Sequence, residues 1–189
     1  MSFRKRLIEI INKVATGDRQ FKLLLTPTGG LFFFLLVSLF IIVSFWLDKL
    51  LNLAKLLPSP LNVIVSTPIL AVGLFLMLWS VLSFAKVKGT PVPLNPPPKL
   101  VNTGPYAYIR NPMLSGLFIA LFGLGFLFGS VSLIFIFTPL FILFNILELK
   151  AIEEPELEKR LGRTYLAYKQ KVPMFIPRLK NLKHPGCNV

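Results

Sequence analysis

Four charge-free apolar runs, residues 31–47, 61–85, 113–128 and 131–147, divide this chain. Each approaches or exceeds the roughly 20 residues that carry an α-helix across a bilayer. A backbone in hydrocarbon must satisfy its own hydrogen bonds, so runs of this length read as helices. The composition agrees: 54% of the 189 residues are hydrophobic and mean hydropathy is +0.69, too apolar for a soluble domain that must keep its surface wet. The expectation is an all-α, polytopic membrane helix bundle of about four transmembrane helices, one domain over residues 1–189. A tight hairpin at Gly129-Ser130 joins the last two spans, and a cytoplasmic amphipathic helix follows them.

The charge is arranged for topology. Segments 1–30, 86–111 and 150–189 hold 19 of the 21 Lys and Arg residues behind the formal net charge of +13. With four spans these segments share one side, which the positive-inside rule assigns to the cytoplasm. Both termini are expected there, in a membrane of the prokaryotic inner type. No soluble fold or base-reading motif accompanies the charge, so nucleic acid is not an expected partner. Residues 1–28 form a basic leader in which Phe3, Leu7, Ile10, Ile11 and Val14 recur at helical spacing, as in a helix lying on an anionic membrane surface. It lacks the continuous apolar core and small-residue cleavage site of a signal peptide. One cysteine, Cys187, excludes an internal disulfide, and one histidine, His184, leaves no metal-ligand set.

Candidate chemistry lies in two polar stretches flanking the last two runs: GPYAYIRNPMLSG (104–116) and EEPELEKRLGRTYLAYKQKVPMFIP (153–177). Pro112 suits a first helical turn with Asn111 as its cap, which leaves Arg110 just outside a span. Pro112 and Glu148 each lie 18 residues from Ser130, so a common rise per residue brings the two stretches together on one side. Pro155 predicts a break or kink near Glu153-Glu154. Beyond it, Leu157, Leu161, Tyr165, Tyr168 and Val172 form an apolar stripe with acidic residues at its start and lysines at its end, the pattern of one amphipathic helix. Residues 174–177, MFIP, read as a short apolar return to the membrane. Residues 87–98, rich in Pro and Gly, predict an irregular lid or linker.

The cluster so assembled contains Tyr106, Tyr108, Arg110, Asn111, Lys150, Glu153 and Glu154. Ionisable residues at membrane depth are costly and tend to be functional. Carboxylates suit an ammonium or ribose hydroxyls, and arginine suits a carboxylate, so the set fits a ligand of both charge signs with a planar ring. There is no Ser/His/Asp combination and no phosphate-binding loop, which favours cofactor-dependent group transfer over hydrolysis.

LVNTGPYAYIRNPMLSG followed by IEEPELEKRLGRTYLAYKQKVPMFIP resembles the isoprenylcysteine carboxyl methyltransferase and phospholipid methyltransferase superfamily of membrane enzymes. The resemblance covers residues 86–178 and implies S-adenosylmethionine as cofactor. It implies a cytosol-facing pocket lined by Lys99, Leu100, Val101, Tyr106, Asn111, Pro112, Met113 and Leu114, closed by Glu153 and Glu154, with Arg110 positioning the acceptor. Arg110 and Glu154 would be the catalytic pair, Lys150 a second substrate contact, and the acceptor a lipid or lipophilic small molecule entering from the bilayer. Gly123 and Gly125 match a Gly-x-Gly of the phospholipid branch, with helix packing as their other reading. Leu114 stands where the family usually has Tyr, Leu161 where it has Phe, Asn111 where it often has His, and Leu149 where carboxyl methyltransferases have Arg. These departures speak against a prenylcysteine carboxylate as acceptor. The alternatives are an NADPH-dependent membrane reductase of similar fold and a non-catalytic scaffold in which Arg110 and Glu154 pair for packing alone.

Overall fold

A computed structural model of the chain describes Arg6, residues 19–85 and residues 100–177. Most of the leader, the 87–98 linker, Lys99, His184 and Cys187 lie outside the described residues. The described residues contain helices and no strands: α1 (Arg19–Leu50), α2 (Leu61–Ala85), a 3-10 turn (Gly104–Ala107), α3 (Pro112–Phe128), a long composite helix α4 (Leu133–Leu161) and α5 (Arg163–Lys171).

All four apolar runs are helical, but their lengths differ. Pro27–Leu50, Leu61–Phe84 and Leu133–Leu161 are long and apolar enough to cross a membrane, whereas α3 is apolar but has only 17 residues. At 1.5 Å per residue α3 is roughly 12 Å shorter than α2. The two helices pack antiparallel over the whole of α3. Asn62 at the start of α2 donates to the Leu127 carbonyl at 2.7 Å, Leu70 faces Gly123, and Gly73 faces Gly116 and Ala120. Counting on from Met77, which faces Gly116, α2 runs about one turn past the start of α3. Over that overhang lies the 3-10 turn, with Gly104 (φ +60) packed on Trp79 and Ser83.

Glycine makes this contact possible. A Cβ on Gly73 would lie 2.8 Å from the Gly116 carbonyl oxygen, and one on Gly116 would lie 2.7 Å from the Gly73 oxygen. Backbone sits on backbone, the close approach by which membrane helices associate when lipid offers no hydrophobic drive. Gly123 and Gly125 instead receive side chains, those of Leu70 and Ile134. At the hairpin, Gly129 is left-handed (φ 70) and caps α3, and Ser130 N–H bonds the Gly125 carbonyl at 2.8 Å. Asp48, near the end of α1, fastens this turn by accepting from the Ser130 hydroxyl and from Ser132 N–H at 2.9 Å.

Two sequence expectations are corrected. The helix does not break at Glu153-Glu154: α4 continues through a π-helical turn, Leu149–Glu153, into Glu154–Leu161. The wider i→i+5 register absorbs the donor that Pro155 lacks. A second π turn, Leu133–Phe137, precedes Pro139 in the same way. The amphipathic stretch is also two helices, because Gly162 adopts φ 56, ψ −131 between them, a region open essentially to glycine alone. Its stripe nevertheless forms one cluster: Tyr165, Tyr168 and Val172 are buried, with Leu100, Leu157 and Leu161 packed against them.

Gly116→Ala is expected to lower stability by about 1–3 kcal/mol, as an over-packed contact does. Gly162→Ala is expected to cost about 1–3 kcal/mol through its backbone conformation alone. Thermal unfolding in detergent reads both, with Gly30→Ala as a neutral control, since a Cβ there meets nothing within 4 Å.

Candidate active site

The site occupies the recess beside the overhanging end of α2. The 3-10 turn brings Tyr106 against α2, its ring 5.1 Å edge-on to Phe84 and its phenol hydrogen-bonded with Ser80. From the other side, the Tyr168 hydroxyl of α5 donates to the Tyr106 carbonyl at 2.7 Å. Arg110 N–H donates to the Pro173 carbonyl at 2.8 Å and Asn111 N–H to the Met174 carbonyl at 3.2 Å. The expected apolar return is therefore a strap paired with the Arg-Asn-Pro motif. Its Phe175 ring lies 5.4 Å from Phe118, within the aromatic cluster of Phe118, Leu121 and Phe141.

Asn111 starts α3, with Pro112 in the first turn, but not through its side chain as expected. No side-chain cap bond forms. Instead its carbonyl accepts from Ser115 N–H and from the Ser115 hydroxyl, both at 3.0 Å. Backbone serves the helix start, and the half-buried amide of Asn111 is left for other work.

The two polar stretches meet in an ion-pair network. Arg110 Nη1 lies 2.6 Å from Glu154 Oε1, and Lys169 Nζ lies 2.6 Å from Glu154 Oε2 and 2.8 Å from Glu158 Oε1. Arg160 Nε lies 2.9 Å from Glu156 Oε1, an i,i+4 pair within α4. Glu154 is thus held from both oxygens while only 7% of its side chain is exposed. Glu153, half-buried one residue earlier, makes no ion pair among the described residues. The Nε of Arg110 is buried with no hydrogen-bond partner among the described residues. Tyr165 hydrogen-bonds Arg110 from α5.

Of the remaining expected residues, Val101 and Pro112 are buried, and Leu100, Met113 and Leu114 are half-buried. Leu114 leans on the Phe118 cluster and Leu100 on the Tyr165 cluster. Lys150 is exposed on the π turn and makes no ion pair with either glutamate. Three contributors were not legible as site residues: Tyr165, which reads as packing, Lys169, which reads as a helix-end charge, and the Pro173 and Met174 carbonyls. The one available signal was the spacing that sets Tyr165, Tyr168 and Lys169 one turn apart.

Burial raises all three inner phenols. Tyr106 and Tyr168 are pushed well above the ordinary tyrosine value by burial first, and Tyr165 up to about 12 by burial first and then by the nearby Glu154 charge. Lys169 is also raised, chiefly by its hydrogen bond to Glu154. The phenols are therefore donors throughout the physiological range. A raised folded-state value favours the protonated native state, so this contribution to stability holds below the ordinary tyrosine pKa near 10 and falls as pH climbs from about 10 towards 12. Melting temperature is expected to drop across that window, and less steeply in Tyr165→Phe.

The sequence profile of one known family, described as phospholipid methyltransferase, matches residues 61–164, from the start of α2 into α5. No curated protein and no solved structure matches the chain. The matched segment carries the glycine contact of α2 with α3, the Arg-Asn-Pro motif, both π turns and the glutamate pair, so this integral membrane protein belongs to the phospholipid methyltransferase family.

Proposed function

We propose that this membrane methyltransferase uses S-adenosylmethionine and transfers its methyl group to a lipophilic acceptor at the cytoplasmic interface. The observation that carries the reading is the polar pair in the recess, Glu153 without an ion pair and Arg110 Nε without an acceptor among the described residues. S-adenosylmethionine supplies an activated methyl on a cationic sulfonium and presents an ammonium, a carboxylate and ribose hydroxyls. Those groups complement a free carboxylate, an arginine and the spare amide of Asn111.

In this reading the two glutamates divide the work. Glu154, already paired with Arg110 and Lys169, is a positioning residue that fixes the guanidinium. Glu153 is the carboxylate that meets the cofactor. Arg110 turns its remaining donor to the acceptor or to the cofactor carboxylate. Leu100, Val101, Tyr106, Pro112, Met113 and Leu114 shape the wall, and α5 with its strap excludes water. With no histidine at position 111, a carboxylate or water takes any proton released by the acceptor, and an acceptor arriving as an anion requires no base. The residues act mainly by holding the partners in line, a contribution worth several kcal/mol.

Glu153→Gln is expected to weaken S-adenosylmethionine binding at least tenfold by calorimetry without lowering the melting temperature. Glu154→Gln is expected to cost roughly 3 kcal/mol of stability, because it leaves the buried Arg110 guanidinium uncompensated. Incubation of the purified protein with a lipid extract and labelled S-adenosylmethionine identifies the acceptor by the species that gains a methyl group. Absence of cofactor binding by the folded protein sinks the proposal. Thermal protection by NADPH instead would establish the reductase reading.

A further inference from the structure

At the opposite end of the bundle, one helix-length of α3 from the recess, lies a groove of about 530 Å³ lined by the last turn of α1, the loop after it and the hairpin turn. One wall is apolar: Phe45 and Phe128 meet edge-on at 5.2 Å, and Leu53 stands beside them. The rim carries two lysines, Lys49 and Lys55, both exposed. Neither ammonium makes an ion pair among the described residues.

Asp48 also lines the groove and, among the described residues, makes no ion pair with either lysine. Asp48 spends its oxygens on the Ser130 hydroxyl and the Ser132 N–H, and Ser130 Oγ in turn accepts from Leu133 N–H at 3.1 Å. The stem of Lys55 is held against the hairpin turn. Leu56 N–H bonds the Gly129 carbonyl at 3.1 Å, and the stem of Lys55 crosses the turn so closely that a Cβ on Gly129 would meet it at 3.0 Å. Asn52, at φ 50, turns the chain back at the end of α1. Two ammonium groups without ion-pair partners among the described residues thus share the groove with an apolar wall at the end of three helices.

We propose that this groove binds the headgroup of an anionic phospholipid, with Lys49 and Lys55 on the phosphate and the first acyl carbons along Phe45, Leu53 and Phe128. Charge complementarity selects an anionic lipid over a zwitterionic one, and the aromatic wall selects a lipid over a free anion. The site is separate from the methyl-transfer recess and does not rest on the cofactor reading.

The test is native mass spectrometry on the full chain, delipidated in detergent and titrated with palmitoyl-oleoyl phosphatidylglycerol or with phosphatidylcholine of the same chains. The wild type is expected to hold one phosphatidylglycerol more tightly than any phosphatidylcholine. K49Q/K55Q is expected to weaken that first lipid about 30-fold, from the roughly fivefold contributed by each lysine near a lipid headgroup. K49R/K55R, of the same charge and with helicity checked by circular dichroism, should retain it. K159Q/R163Q, at the other end of the bundle, should also retain it. The proposal is overturned by equal affinity for the two lipids, by undiminished binding in K49Q/K55Q, or by an equal loss in K159Q/R163Q. Displacement of the lipid by millimolar inorganic phosphate would likewise overturn it, because the groove would then be an anion site.

Discussion

The pairing of Arg110 with Glu154 closes the molecule. It links residues 44 positions apart, and it does so where both side chains are almost wholly withdrawn from solvent. A lone charge there would carry a large desolvation cost, so each partner is tenable only with the other in place. Lys169 adds α5 to the same carboxylate, and the motif backbone is tied to the strap through Pro173 and Met174. Three segments that otherwise share few contacts are thereby held in one arrangement.

The recess exists because α3 is short. A span of the length of α2 would carry apolar side chains to the membrane boundary and fill the space. Instead α3 starts about one turn inside the end of α2, and the 3-10 turn, the overhang of α2 and α5 gather there. The Gly73-Gly116 contact sets that offset, because backbone resting on backbone fixes the register of the two helices.

Much of this was legible in the residues. Each of the four charge-free runs is helical, and three are long enough to cross a bilayer, because bilayer thickness imposes a length that composition reveals. Counting from Ser130 brought Arg110 towards the glutamates, because helical rise is nearly constant. What failed were inferences in which one local rule was applied alone. Pro155 ends an α-helix by its missing donor, but a π turn offers a register in which that donor is not missed. Asn111 looked like a side-chain cap, yet only its carbonyl serves the helix, accepting the first intrahelical bond. Gly162 sits within an unbroken apolar periodicity, so the stripe concealed a backbone reversal that only φ reveals. Asp48 stood unremarked at the end of a run because its partners, Ser130 and Ser132, lie more than 80 residues further on.

The π turn at Leu149–Glu153 has a consequence for how this site is aimed. A π turn holds one residue more than the α turn it replaces, and in an α-helix each residue advances the azimuth by about 100°. Phe141, before the turn, looks into the aromatic cluster, and Glu154, after it, looks at Arg110. The extra residue acts as a swivel within one continuous helix, letting α4 present an apolar face to the bundle and a charged face to Arg110. Loss of a single residue between 149 and 153 would leave composition and hydropathy almost unaltered, yet it would turn the glutamates away from the arginine by about a quarter of a circle.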